Sequence, residues 1–335
     1  MKIYTTIVSL IFTTCLALPA MAGARTVDCN AGESLQEALD AGAGSAKQIE
    51  IEVTGTCYGD LRLTRDRVSI LGDGATTIHG TLRVFGSSGI VLRDLTITGP
   101  GFGILMSDSR ARLFDVHIVD NESSGIQASD YSTVRLTRGE VNGNWEGVRL
   151  NQSNLRLNNA SVDSNDTDGV LVLQNSSLTA GNSSISENGV LGIRVNWSSS
   201  IYLGGSRVES NTYGIQMATG SSGSLNDSQV VNSTQFGIEL TGNSALEVWR
   251  GLISGNGDNG VWVNAHSFLT LSEANVVGNG QGVAITRDGG VVTYGFTQIL
   301  SNSGYFQVGC DGDESSIEVD GDSVVGPIDC EHPEF

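Results

Sequence analysis

The 335 residues carry 37 acidic against 18 basic side chains, a formal charge of −19. A chain this acidic repels nucleic acid and anionic membrane, which argues against both as partners. No apolar run approaches the roughly 18 to 20 residues that a membrane-spanning helix requires.

At the N-terminus Lys2, the apolar stretches "IVSLIF" and "CLAL", and Ala20-Met21-Ala22 follow one another. They read as the positive, apolar and cleavage-site regions of an export signal over residues 1–22. Without it the protein starts at Gly23, is periplasmic or secreted, and keeps Lys47 as its single lysine. Of five cysteines, Cys15 leaves with the signal, and Cys29, Cys57, Cys310 and Cys330 remain. An even count in an exported chain reads as disulfides. Four cysteines allow three connectivities. Cys29–Cys57 with Cys310–Cys330 is favoured, because each would pin one end locally. Zinc is disfavoured by the absence of any C-x-x-C pair.

Residues 23–60 form an N-terminal cap. In it "SLQEALDAG" predicts an amphipathic helix with Ser34 and Glu37 placed as a capping box.

Residues 61–304 are repetitive. Gly followed by Ile or Val, or nearly so, recurs at Gly103, Gly125, Gly147, Gly169, Gly192, Gly214, Gly237, Gly260 and Gly282, in steps of 22 or 23 residues. An asparagine accompanies nearly every copy: Asn121, Asn144, Asn165, Asn188, Asn211, Asn232, Asn256, Asn279 and Asn302. Within a unit the apolar residues alternate: Val148 and Leu150 around Arg149, Leu155 and Leu157 around Arg156, Ala160 and Val162 around Ser161. That is period two in three short strands per unit. A 22-residue coil cannot bury its own inner face, so coils must stack. The expected fold is all-β, a right-handed single-stranded parallel β-helix of three strands per coil. Its nine coils, spaced about 4.8 Å, extend about 43 Å. Asn is assigned to left-handed corners and a coil-to-coil amide ladder. Gly is assigned to the sharp turn into the first strand. Residues 305–335 form a C-terminal cap.

The Gly-Ile and Asn pattern, with the helix and the irregular segments "CYGDLRL", "VSILGDG", "TIHGTLRV" and "GIVLRDLTITG", resembles the parallel β-helix repeats of the pectin-lyase-like superfamily over roughly 27–325. The resemblance implies the fold and not an activity, since that superfamily includes lyases, hydrolases, epimerases, esterases and non-catalytic proteins. The Asn-Thr-Asp, Asp-Asp, Gly-His-Gly and Arg-Ile-Lys signatures of its polygalacturonase-like hydrolases are missing. So is the Asp-Pro-His-Asp of its alginate epimerases. A lysine base of the lyase type is disfavoured, since Lys47 lies outside the repeats.

The outward residue of the first strand reads down the stack as Leu105, Gln127, Arg149, Leu171, Arg194, Gln216, Glu239, Trp262 and Ala284. Asn151, Asn196, Trp197, Asn264 and His266 follow on the same side, and Tyr213 and Phe236 precede their glycines. Aromatic faces stack on sugars, and arginine forks hold carboxylate or sulfate. The polysaccharide-binding candidates are therefore Arg149, Arg194, Asn196, Trp197, Tyr213, Gln216, Glu239, Trp262, Asn264 and His266. Glu239 and Arg194 are the catalytic candidates. The plain alternative is that these are ordinary half-exposed strand residues. A second row, Arg112, Arg135 and Arg156, is read first as ion-paired with Asp115, Glu140 and Asp163, and second as an anion track. "DSNDTD" and the C-terminal "DGDE" and "DGD" raise a structural calcium ion, although they match no calcium-loop spacing. The histidines are too scattered for a metal cluster.

These observations favour an exported monomer that binds a polysaccharide, with lyase or epimerase processing as its catalytic form. The alternative is a non-catalytic surface, adhesion or structural solenoid.

Overall fold

The computed structural model describes residues 25–41, 48–304, 306–311 and 314–330. The expected export segment and Lys47 lie outside them.

The chain winds as a right-handed parallel β-helix. The first strands of successive coils form one 13-stranded parallel sheet running from Leu61–Leu63 to Ile328–Asp329. Thirteen strands, not nine, set the length, roughly 58 Å for twelve strand spacings. The irregular N-terminal coils add strands before Gly103. Val308–Asp311 and Ile328–Asp329 continue the ladder beyond Gly282. Second and third strands form a second, 24-stranded sheet. In the early coils they are fused into long bent strands, Val68–His79, Ile90–Gly99 and Arg110–Asn121. From Ser124 onward they separate, as in Asn154–Asn158 and Ser161–Asp163.

The alternation read from the sequence sets the packing. Val148, Leu150, Leu155, Leu157, Ala160 and Val162 are buried, while Arg149 and Arg156 face outward. The same columns repeat in each coil as one continuous core. At the N-terminal end a helix of six residues, Leu35–Asp40, buries Leu35, Ala38 and Leu39. The Ser34 hydroxyl accepts from the Glu37 N–H at 3.2 Å, which is the N-cap half of the expected capping box. Disulfides join Cys29 to Cys57 and Cys310 to Cys330.

The asparagines form a buried relay. The N–H and Nδ2 of Asn121, Asn144, Asn165 and Asn188 each donate to Oδ1 of the next coil's asparagine, at 2.7–3.2 Å. Asn256, Asn279 and Asn302 continue it, and Gln307 accepts from Asn302. Three assignments change. The member between Asn211 and Asn256 is Ser233, not Asn232, for it is the Ser233 N–H that donates to Asn256 at 2.9 Å. The left-handed residue is the one before each member: Asp120, Ser164, Glu187, Ser210, Asn232 and Ser301 have φ of 53–58°. The repeat glycines are not left-handed either. A Cβ on any from Gly103 to Gly260 would lie 2.3–3.0 Å from the carbonyl oxygen of the next coil's glycine. Close approach, rather than a turn, demands glycine there.

A second relay went unread in the sequence. Ser87, Ser109, Ser132, Ser153, Ser176, Ser199, Ser221, Ser244 and Ser267 are buried at the corner between first and second strands. Seven of the eight steps link an N–H to the next serine hydroxyl at 3.0–3.3 Å.

Candidate functional site

Strand register puts the first-strand column where alternation predicts it: Arg149, Leu171, Arg194, Gln216, Glu239, Trp262 and Ala284 are successive partners. The residues immediately before the repeat glycines form a parallel column. It carries Ser124, Glu146, Asp168, Leu191, Tyr213, Phe236 and Asn259, linked coil to coil through backbone bonds and strand register.

The two columns interlock. Glu146 accepts from Ser124 Oγ at 3.0 Å and from Arg149 Nε at 2.9 Å. This hydrogen bond to Glu146 holds the Arg149 guanidinium above its usual range, with burial opposing it. Asp168 is buried; it accepts from Arg194 Nε at 3.0 Å and from the Leu191 N–H at 3.1 Å. Arg194 Nη1 reaches Gln216 Oε1 at 3.4 Å, and Gln216 Nε2 donates to Glu239 Oε2 at 2.7 Å. The catalytic candidates, Arg194 and Glu239, are thus two coils apart and joined through Gln216. Both arginines of this face already hold a carboxylate. Glu146 and Asp168 were missed because only Tyr213 and Phe236 were taken from their column. Reading the whole column would have found them.

At one end the face opens into a depression of about 460 Å³ lined by Trp145, Arg149, Leu171, Arg194, Asn196 and Trp197, among others. Trp145 and Trp197 are about half exposed, and Trp197 sits at a left-handed corner, φ 55°. At the other end Tyr213, Phe236 and Trp262 form an aromatic run, with ring centroids 5.9 and 5.3 Å apart. Trp262 Nε1 donates to Thr286 Oγ1 at 3.0 Å. One candidate leaves the group. Asn264 is buried and accepts from Thr286 at 3.2 Å. His266 occupies a left-handed corner beside Asp288 at 3.2 Å.

The second arginine row is also in register: Arg112, Arg135 and Arg156 are direct neighbours on successive second strands. The ion pairs expected for them do not form. Asp115 pairs with Arg138 at 2.6 Å and Glu140 with His117 at 2.7 Å. Asp163 pairs with none of the three. Among the described residues no three His, Cys, Asp or Glu side chains are grouped to hold a metal ion. No helix among them is long and apolar enough to cross a membrane.

The family model for the right handed beta helix region matches residues 68–208 and 146–298. The chain belongs to this family. No curated protein matches it. Among solved structures, the A-module of a mannuronan C-5 epimerase of Azotobacter vinelandii superposes with TM-score 0.63 at 16% identity, covering 93% of this chain and 96% of that one. The Dettilon tailspike protein gives TM-score 0.63 at 12% identity, covering 85% and 64%. A surface adhesin of Streptococcus pneumoniae gives 0.53 at 12%, covering 82% and 88%. At these identities the likeness is one of fold.

Proposed function

We propose that this β-helix protein is exported and binds a polysaccharide along its first-strand face, the sugar chain lying parallel to the stack. The observation that carries this reading is the aromatic run Tyr213–Phe236–Trp262, continuous with a face that opens between Trp145 and Trp197. Rings in a row offer stacking platforms to successive sugars, and the interleaved amides, carboxylates and guanidinium groups offer donors and acceptors to hydroxyls. The folds it resembles include that of a mannuronan C-5 epimerase, and two disulfides suit an oxidising compartment.

Binding, rather than processing, is the reading favoured here. Glu146 and Asp168 are engaged by arginines and Glu239 by Gln216, so each carboxylate would have to exchange its partner before serving a sugar proton. Arg149 and Arg194 are likewise not free cations. The face therefore suits hydroxyl-rich glycans better than densely charged ones.

A glycan array probed with the protein from Gly23 onward tests the proposal. Binding should appear, and Tyr213→Ala and Trp262→Ala should each weaken it about tenfold, or about 1.4 kcal/mol. No binding on a broad array, or binding indifferent to both variants, overturns it. Release of 4,5-unsaturated ends from a uronic-acid polymer, abolished in Glu239→Gln, would establish processing instead.

A further inference from the structure

The three stacked arginines of the second-strand face lack the carboxylate that six other arginines hold. Arg83, Arg138, Arg149, Arg194, Arg207 and Arg250 each hold a carboxylate. Arg112, Arg135 and Arg156 are exposed, and their side chains make no hydrogen bond or ion pair with any described residue. They are direct cross-strand neighbours, separated by the strand spacing of roughly 4.8 Å. Like charges directly opposite one another in a sheet are destabilising, so nothing in packing accounts for the row.

Its surroundings are equally unusual for a chain of charge −19. On either side of the row the outward positions are Arg110, Thr133 and Asn154, and Phe114, Thr137 and Asn158. The next three coils present Ser177, Thr179 and Gly181, then Ser200, Tyr202 and Gly204, then Ser222, Ser224 and Asn226. Six coils and three columns contain no carboxylate. Arg93 extends the positive region, with its guanidinium 4.9 Å over the Phe114 ring. Tyr202, two coils beyond Arg156 in the same column, is 44% exposed.

We propose that this face is a second binding site, a track for a linear polyanionic glycan. Each arginine forks onto one sulfate or carboxylate of successive sugars, and Tyr202 stacks on a ring further along. Guanidinium forks match both oxyanions bidentately, and the intervening hydroxyls and amides serve sugar oxygens. A glycan is favoured over nucleic acid because the face offers rows of hydroxyls and amides for sugar oxygens and not the series of exposed rings on which successive bases stack. The site is separate from the first-strand face, across the serine corner, and does not depend on that face binding anything.

The test uses the whole chain from Gly23 and four probes in calorimetry: heparin, polygalacturonate, neutral dextran and a single-stranded oligonucleotide. The variants are Arg112→Gln/Arg135→Gln/Arg156→Gln and Trp262→Ala. One or both polyanionic glycans should bind, and dextran should not bind through this face. The tighter of the two identifies sulfate or carboxylate as the preferred group. The triple variant should lose tenfold or more, while Trp262→Ala leaves polyanion affinity unchanged. Raising salt from about 0.1 M to about 1 M, which cuts the screening length from roughly 10 Å to 3 Å, should weaken binding. The triple variant should melt no lower than the parent at low salt, which shows that lost affinity is not lost structure. The proposal is overturned if neither glycan binds, if the triple variant binds as the parent does, or if the oligonucleotide binds as tightly as the glycans.

Discussion

Ser233 interrupts the asparagine relay, and its replacement by asparagine should stabilise the protein. Asn188 Nδ2 bonds to Asn211 Oδ1 in the next coil at 3.0 Å. Asn211 Nδ2 bonds only to the Ile185 and Glu209 carbonyls, at 3.2 and 3.0 Å. The buried Ser233 hydroxyl finds no partner. Room for the larger side chain exists, since Gly214 lacks the Cβ that would come 3.0 Å from Ser233 Oγ. Other ladder glycines stand in the same relation to Asn Nδ2, at 2.6–3.1 Å. An asparagine at 233 gains one bond from the Asn211 N–H and one to the Val208 carbonyl, by analogy with Asn256 and Val230; both hydrogens of Asn211 Nδ2 are already engaged. At about 1 kcal/mol net each, less about 1 kcal/mol for ordering the longer side chain, Ser233→Asn should add about 1 kcal/mol. That is a rise of roughly 1.5 °C in melting temperature for a chain of this size. Urea unfolding followed by circular dichroism reads the shift, with Asn188→Ser as the converse and a loss of comparable size. A midpoint that stays or falls in Ser233→Asn, while Asn188→Ser costs nothing, would show that the relay is decoration on a fold held by its core.

Three further outcomes are expected. Gly192→Ala should cost about 3 kcal/mol, the upper range for overpacking, because its Cβ would lie 2.7 Å from Asn211 Nδ2 and from the Gly214 carbonyl oxygen; Gly321→Ala, with nothing within 4 Å, should be neutral in the same thermal melt. Replacing Cys29 and Cys57 by serine opens a loop of 28 residues, and thermal unfolding should report a loss of roughly 3.5 kcal/mol. Asp60 and Asp115 are held below the usual carboxylate range, Asp60 first by the Thr81 N–H and then by Arg83, Asp115 first by its hydrogen bond to Arg138. A depressed folded pKa stabilises fully above the unfolded value near 3.9 and is lost as pH falls through the folded value. Stability should thus hold from neutrality to about pH 5 and decline below about pH 4, more gently in Asp60→Asn/Asp115→Asn.

The fold was legible because a period of 22 repeats an alternation nine times over, and alternation dictates which side chains face inward. Val208, Ile215 and Met217 are core and Asn211 is a ladder member, as that logic requires. The function of glycine was not legible, because sequence does not distinguish a residue chosen for its backbone angles from one chosen for lacking a Cβ next to another coil. The serine relay escaped notice since serine is equally at home in any loop. On the first-strand face, position was readable and partnership was not. Arg149 and Arg194 are where they should be, yet Glu146 and Asp168 reach them from the neighbouring column. The same blindness to partners misassigned Asp115 and Glu140 to the second arginine row.

Gln307 closes the asparagine relay in a way that bears on how such chains tolerate variation. Its Oε1 takes both donors of Asn302, and its Nε2 turns back to the Asn302 and Gly304 carbonyls at 3.2 and 3.4 Å. No demand for an acceptor is passed onward. The coils that follow are released from the 22-residue grammar, and their strands at Val308–Asp311 and Ile328–Asp329 keep the shape of the stack without its vocabulary. Whole coils inserted before this glutamine must speak the motif, whereas the coils after it are held by the core, the Cys310–Cys330 bridge and scattered side-chain bonds such as Ser323 Oγ to the Gly295 carbonyl.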